Sequence, residues 1–212
     1  LNQNFCPKQW KQSIVIPIYK KKNRNSPENY RPISQTSAFS RLFEIILHTK
    51  LLNYFLSNNL ISENQFGFLP LRSTLSQLLG CFHNWICDSS RGNTTNIVYT
   101  DISKAFDSVN HRKLISVVKS YGVNVKVINW LRNFLSDRYQ QVSVNNSLSN
   151  PALVTSGVPQ GSIIGPLLFI IFMNDIDECA LNLGDCGSIT LFEDDTKIYG
   201  TNPVEIQNSL NN

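Results

Sequence analysis

With 212 residues, 42% of them hydrophobic and 16% charged, the chain can bury a real core in one large domain or two small lobes, and its composition excludes a disordered protein. The formal charge of +4 is unevenly spread: residues 1–50 hold nine Lys and Arg against two acids, and residues 163–212 hold eight acids against one base, Lys197. That split suits a protein that holds a polyanion at one end and cations at the other, while an uneven solvated surface accounts for the charge equally well.

Trp10–Tyr19, carrying Ile14, Val15, Ile16 and Ile18, reads as a strand that runs into a basic tract. Pro27 and Pro32 lie close enough together to predict a loop. Ser40–Leu56 has helical spacing, with Leu42, Phe43, Ile46 and Leu47 as its apolar positions and Asn58-Asn59 as a stop. Ser73–Asp88 is a second helix, with Leu75, Leu78, Leu79, Phe82 and Trp85 on one side. Ile97–Tyr99 is a short buried strand leading into Asp101. Asn110 caps a helix over His111–Tyr121 that Gly122 ends, and Val125–Leu135 is another amphipathic helix. Gln140–Val144 and Ala152–Val158 read as a hairpin, and Pro166 opens a helix through Met173. Ser188–Phe192 and Thr196–Tyr199 form a second hairpin with Glu193-Asp194-Asp195 at its tip. Hairpins mixed with helices favour an α+β fold over an alternating parallel sheet.

Five cysteines (Cys6, Cys81, Cys87, Cys179, Cys186) without CxxC spacing suggest neither a zinc site nor a disulfide framework. The longest apolar run, Ile163–Met173, falls short of a bilayer span, so no membrane partner is expected. The chain does not begin with Met and stops within a polar, helix-like stretch, which reads as an excerpt.

The sharpest chemical feature is Asp101 at the end of one strand together with Asp194-Asp195 at a hairpin tip. Clustered carboxylates repel one another unless cations neutralise them, and Mg²⁺ prefers one or two carboxylates plus water and phosphate oxygens. Two ions about 3.5–4 Å apart can activate a 3′-hydroxyl and stabilise a leaving pyrophosphate. Taken singly, Asp-Asp is also an ordinary turn dipeptide and Asp101 an ordinary strand end.

The wider context resolves that ambiguity. Asp101-Ile102-Ser103-Lys104-Ala105-Phe106-Asp107, then Ser156-Gly157-Val158-Pro159-Gln160-Gly161-Ser162, then Phe192-Glu193-Asp194-Asp195 resemble motifs A, B and C of reverse transcriptases from non-LTR retrotransposons of the LINE or jockey kind. Ile16–Lys20 with Asn29–Ile33, and Gln65–Phe68 with Arg72–Thr74, are similar to that family's fingers motifs. The matches fall in the family's order over roughly residues 10–200.

The resemblance implies a right-hand polymerase, with an antiparallel palm sheet packed on helices. Residues 1–96 would be mainly fingers and residues 97–212 mainly palm with part of the fingers, the thumb lying beyond Asn212. It further implies an RNA-directed DNA polymerase using two Mg²⁺ ions, or Mn²⁺ in their place, with an RNA template, a DNA primer and dNTPs as partners and the nucleus as its place of action. Asp101, Asp194 and Asp195 would be catalytic metal ligands, with the Ile102 carbonyl as an extra oxygen. Lys20 and Arg31 would grip the triphosphate, although Lys20 beside Lys21 and Lys22 also suits solvated surface. Phe106 would lie under the sugar and exclude a 2′-hydroxyl, a place that a core Phe could equally fill. Gln160 and Gly161 would support the nucleotide and the template base.

Two positions depart from the family pattern. Glu193 stands where a small residue is usual and is expected to impair catalysis by crowding a third carboxylate against the pair. Leu69 follows Gly67-Phe68 where a basic residue is frequent. A catalytically impaired element relic, or a fragment that only binds nucleic acid, is therefore the alternative. An RNA-directed RNA polymerase shares the carboxylate logic, and Phe106 and the Gln160-Gly161 loop argue against it.

Overall fold

A computed structural model describes residues 6–176 and 187–211. They fall into two compact units that alternate along the chain, one within residues 1–57 and 104–172, the other within residues 58–103 and 173–212.

The first unit is built on a five-stranded sheet in the order β2-β1-β4-β5, with β6 also paired to β4. The strands are β1 (Gln12–Tyr19), β2 (Tyr30–Gln35), β4 (Arg138–Val144), β5 (Ser147–Leu148) and β6 (Ala152–Val154). β1 runs antiparallel to β2 and parallel to β4. The loop expected over Pro27–Pro32 holds only for its first half, a 3-10 turn at Pro27–Asn29; from Tyr30 the chain is strand, because Tyr30–Gln35 pairs with Ile14–Tyr19 and sets Pro32 opposite Pro17. Both prolines fit for a geometric reason. The Ser34 amide points away from β1 to reach the Gln160 carbonyl, so the amide side of Pro32, two residues back, faces the open edge. β4 pairs β1 only over Gln12–Val15, which leaves the amide side of Pro17 without a strand neighbour.

Helices α1 (Ala38–Ser57), α3 (Ala105–Ser108), α4 (His111–Ser120), α5 (Val125–Leu135) and α6 (Gly165–Met173) complete this unit. α6 is apolar on every side and Leu167 to Ile171 are fully buried, as an all-round hydrophobic helix requires. Trp10, Phe43, Trp130 and Phe134 form a chain of ring contacts at centroid spacings of 4.9–5.8 Å. Asn110 caps α4 by accepting from the Arg112 and Lys113 amides, and Asn124 caps α5 through the Lys126 amide.

The buried stripe of α1 is Ser40, Glu44, Leu47, Leu51 and Phe55, while Leu42 and Ile46 are exposed, so the expected apolar face is wrong by part of a turn. Glu44 is wholly buried. It accepts from the Ser40 hydroxyl at 2.8 Å and from the Ile163 and Ile164 amides at 2.8 and 3.4 Å, just ahead of α6. Arg138 is buried nearby, its Nη1 donating to the Phe134 carbonyl at 3.1 Å with the guanidinium over the Phe134 ring. Burial pulls the Arg138 guanidinium below its ordinary pKa, and the Glu44 charge opposes that shift.

The second unit has a three-stranded antiparallel sheet in the order β3-β8-β7, from β3 (Asn96–Thr100), β7 (Gly187–Phe192) and β8 (Asp195–Gly200). One face carries the core of Ile189, Ile198 and Ile206 with Val98 and Ile176 against it, Ile206 coming from α7 (Pro203–Asn211). α2 (Thr74–Ser90) starts at a capping box between Ser73 and Ser76. Its buried positions are Gln77 and Cys81, and Leu75, Leu79 and Phe82 are exposed, which overturns the expected apolar side. Cys81 meets Thr190 of β7 at 3.6 Å, and Asn84 donates to the Tyr199 hydroxyl of β8 at 3.0 Å.

Cys6, Cys81 and Cys87 carry free thiols, and Cys179 and Cys186 lie outside the described residues. Among the described residues, no helix is long and apolar enough to cross a membrane.

Candidate active site on the three-stranded sheet

In the second unit, β3 is an apolar strand that ends where its partner begins. Thr100 pairs with Thr196, so the chain leaves the ladder at Asp101 beside Asp195. Phe192 pairs with Asp195 across the β7–β8 hairpin, which leaves Glu193 and Asp194 as its two-residue tip. Residues directly opposite share a face and alternate residues return to it, so Tyr99, Asp101, Asp195 and Lys197 lie on one side of the sheet. Asp101, Asp195 and Lys197 line one cavity of about 410 Å³ together with Gln77 and Thr74 of α2. Both carboxylates are exposed.

Lys197 escaped the sequence reading. Its ammonium donates to Gln77 Oε1 at 2.9 Å, which anchors a positive charge beside the acids. Its register two residues after Asp195, on the same strand, was the available signal. Gln65 was also missed as a support. It is buried, and its Oε1 accepts from the Gly67 amide at 2.8 Å and from the Glu193 amide at 3.1 Å, tying the hairpin tip to the 64–67 loop. That loop is bonded to β7 in both directions, Phe66 N to Leu191 O and Leu191 N to Asn64 O, each at 2.8 Å. Arg72 donates from Nη1 to the carbonyls of Ser62, Glu63 and Gln65, so it holds the loop by its backbone. Gly67 is obligatory there, because a Cβ would stand 2.5 Å from the Glu193 amide nitrogen. Glu193 itself takes a positive φ of 60°, a conformation that costs a residue with a Cβ about 1–2 kcal/mol.

Among the described residues, no three His, Cys, Asp or Glu side chains are grouped as a ready-made metal cage. The donor set nonetheless suits Mg²⁺, which takes one or two carboxylates and completes its shell with water and phosphate oxygens.

The remaining predicted site residues belong to the first unit, apart from Ile102, which directly follows Asp101 and is half-buried. Arg31 lies on β2 opposite Ile18, and Lys20 follows β1 with its amide donating to the Asn29 carbonyl at 2.8 Å. Lys20 is two residues past Ile18, which carries it to the face that Arg31 occupies; both side chains are exposed. Phe106 is half-buried on α3 and stacks on Phe169 of α6, with centroids 4.4 Å apart and planes 15° apart.

The 156–161 loop is strapped to the 106–111 segment. Val158 N donates to Phe106 O at 2.9 Å, Gly157 N to Val109 O at 2.8 Å, and the Ser156 hydroxyl to Asp107 O at 2.9 Å. His111 Nε2 lies 2.7 Å from the Gly157 carbonyl and therefore donates to it. Gln160 O accepts from Ser34 N at 2.7 Å. Gly161 has a φ of 119°, and a Cβ there would meet the Ser34 carbonyl oxygen at 2.5 Å.

Residues 18–212 match the family described as reverse transcriptase (RNA-dependent DNA polymerase). The chain belongs to the reverse transcriptase family. It is 37% identical over 183 residues to the probable RNA-directed DNA polymerase from transposon BS of Drosophila melanogaster, which covers 83% of this chain and 19% of that protein. It is 29% identical over 179 residues to the RNA-directed DNA polymerase from mobile element jockey of the same fly, again over 83% and 19%. These kinships make it a non-LTR reverse transcriptase domain, spanning about a fifth of the length of the curated relatives it matches. Among solved structures, telomerase from Candida tropicalis in complex with a fragment of telomeric RNA gives a TM-score of 0.70 at 11% identity, covering 97% of this chain and 38% of that one. Apo telomerase from the same yeast, truncated of its C-terminal domain, gives 0.67 over 98% and 48%. The likeness shows the fold, an α+β reverse transcriptase fingers and palm.

Proposed function

We propose that this reverse transcriptase domain is an RNA-directed DNA polymerase that adds dNTPs to a primer 3′-hydroxyl by two-metal nucleotidyl transfer on an RNA template. The observation that carries the reading is Asp101 and Asp195 on one sheet face, lining one cavity, with Asp194 adjoining at the hairpin tip. Two Mg²⁺ ions, or Mn²⁺ in their place, would supply Lewis acidity to the attacking hydroxyl and the leaving pyrophosphate. Asp101, Asp194 and Asp195 are the residues that would hold them, with the Ile102 carbonyl as a further oxygen. Lys20 and Arg31 bind the triphosphate of the incoming nucleotide, Arg31 through its planar fork. Phe106 offers a 2′-hydroxyl no hydrogen-bond partner and so favours deoxynucleotides; its stacking on Phe169 holds the ring in place. Gln160 and Gly161 back the nucleotide and the template base from a loop that Ser34 and His111 brace. Residues 1–96 serve mainly as fingers and 97–212 mainly as palm with part of the fingers.

The test is dNTP incorporation on a primed RNA template with Mg²⁺. Asp101→Asn and Asp195→Asn should each abolish incorporation while leaving RNA binding and the circular-dichroism spectrum unchanged. Wild-type incorporation in either variant overturns the assignment. Preference for NTPs over dNTPs would overturn the role of Phe106.

A second reading is a domain that binds nucleic acid with turnover impaired. Glu193 favours it, since a third carboxylate adjoins Asp194 at a tip already in a costly backbone conformation. Glu193→Ala should then raise the incorporation rate, and an unchanged rate removes this reading.

A further inference from the structure

From Val109 to Ser136 the chain carries five Lys and Arg (Arg112, Lys113, Lys119, Lys126, Arg132) and no Asp or Glu, so this segment alone holds more positive charge than the whole protein's +4. It folds as α4 and α5, and their apolar faces are spent on the core: Leu114, Val118, Ile128, Leu131 and Phe134 are buried. The bases are left outward. Arg112 and Arg132, both exposed, come from different helices and line one cavity of about 420 Å³ with His111 and Ser136, floored by Ile115 and Leu135. No carboxylate lines it.

Among the described residues the Arg112 guanidinium makes no hydrogen bond or ion pair. Arg132 meets only the neutral Asn129 amide oxygen, at 3.0 Å from one Nη. Two guanidinium forks without counter-ions beside an apolar floor suit the charge of a sugar–phosphate chain, with the floor against the sugar. None of the residues assigned above to metal, triphosphate or template base lines this cavity.

We propose that the α4–α5 face is a second nucleic-acid contact, at which Arg112 and Arg132 hold successive phosphates of an RNA strand. It rests on the reading above only in taking RNA as the partner. His111 links the face to the 156–161 loop through the Gly157 carbonyl, so a strand seated there borders the brace of that loop.

The test is fluorescence-anisotropy binding of a labelled single-stranded RNA over a NaCl series, comparing wild type with Arg112→Ala/Arg132→Ala and Arg112→Glu/Arg132→Glu. Each phosphate contact to a single strand contributes roughly 0.7 to the slope of log K against log salt, so the alanine pair should lower the slope by about 1.4. The glutamate pair should weaken binding at least about tenfold at low salt. Both side chains are exposed, and circular dichroism checks the fold. Unchanged affinity and slope in both variants overturn the proposal, as does the absence of RNA binding by wild type. DNA of the same sequence bound more tightly than RNA, with the same loss on mutation, also overturns it as an RNA contact. The outcome is separable from the polymerase reading, since Asp195→Asn should keep full RNA affinity and slope while losing incorporation.

Discussion

Removing the Glu44 carboxylate should cost more stability than any other single change to a polar side chain of the first unit. Glu44→Ala strips acceptors from the Ser40 hydroxyl and from the Ile163 and Ile164 amides, and takes away the charge that opposes the burial of Arg138. Breaking a buried charge interaction by deleting one partner costs about 3–5 kcal/mol, because the survivor is left uncompensated. With a urea m-value of roughly 2 kcal/mol/M, the unfolding midpoint of this unit should fall by about 1.5–2.5 M. Glu44→Gln keeps an acceptor and loses the charge, so its loss should be smaller, about 1–3 kcal/mol. The double change Glu44→Leu/Arg138→Met removes both charges together and should be less damaging than Glu44→Ala alone. Urea unfolding by tryptophan fluorescence reports the unit through Trp10 and Trp130, and hydrogen exchange at Ile163 and Ile164 localises the effect. A Glu44→Ala midpoint within about 0.3 M of wild type, roughly 0.6 kcal/mol at that slope, would refute the reasoning.

Gly161→Ala should cost about 1–3 kcal/mol from its backbone conformation alone, and more because the new Cβ must push Ser34 away; thermal unfolding should show it, with dNTP incorporation falling as the loop leaves β2. Gln65→Ala leaves the Gly67 and Glu193 amides without their acceptor and should cost about 1–3 kcal/mol, read as faster hydrogen exchange at both amides. Burial holds the His48 imidazole below its ordinary pKa. Above the unfolded value of about 6.5 neither state is protonated and His48 contributes no pH dependence. As the pH falls through that value the unfolded chain takes the proton first, so stability is lost toward acid. His48→Gln should flatten that limb of the stability–pH profile, and an unaltered profile would remove His48 as its source.

Much of the local structure was legible because local chemistry dictates it. Asn110 and Gly122 bracket α4, α5 occupies Val125–Leu135 as its periodicity predicts, and both hairpin strands beside Asp194-Asp195 follow from alternation and a polar tip. β2 was not legible, because Pro32 is compatible with a strand only where its missing amide faces an unpaired edge, and edge position is a property of the sheet. The apolar faces of α1 and α2 were misassigned for a related reason. Both helices carry large apolar residues on several sides, so periodicity does not single out one stripe, and the positions that are buried include Glu44 and Gln77.

By itself, the sequence determined most of the segments that coil or extend, β2 excepted, where Asp101, Asp194 and Asp195 stand relative to strand ends, and the motif order that marks a reverse transcriptase. Those are properties of neighbours along the chain, where capping, periodicity and turn chemistry act over a few residues. Only the tertiary structure decided that Lys197 and Asp195 share a cavity with Asp101, that Glu44 and Arg138 are buried, and that Arg112 of α4 and Arg132 of α5 line one cavity. Each of those depends on residues tens of positions apart being brought together, and burial and field are set by whatever then lies alongside.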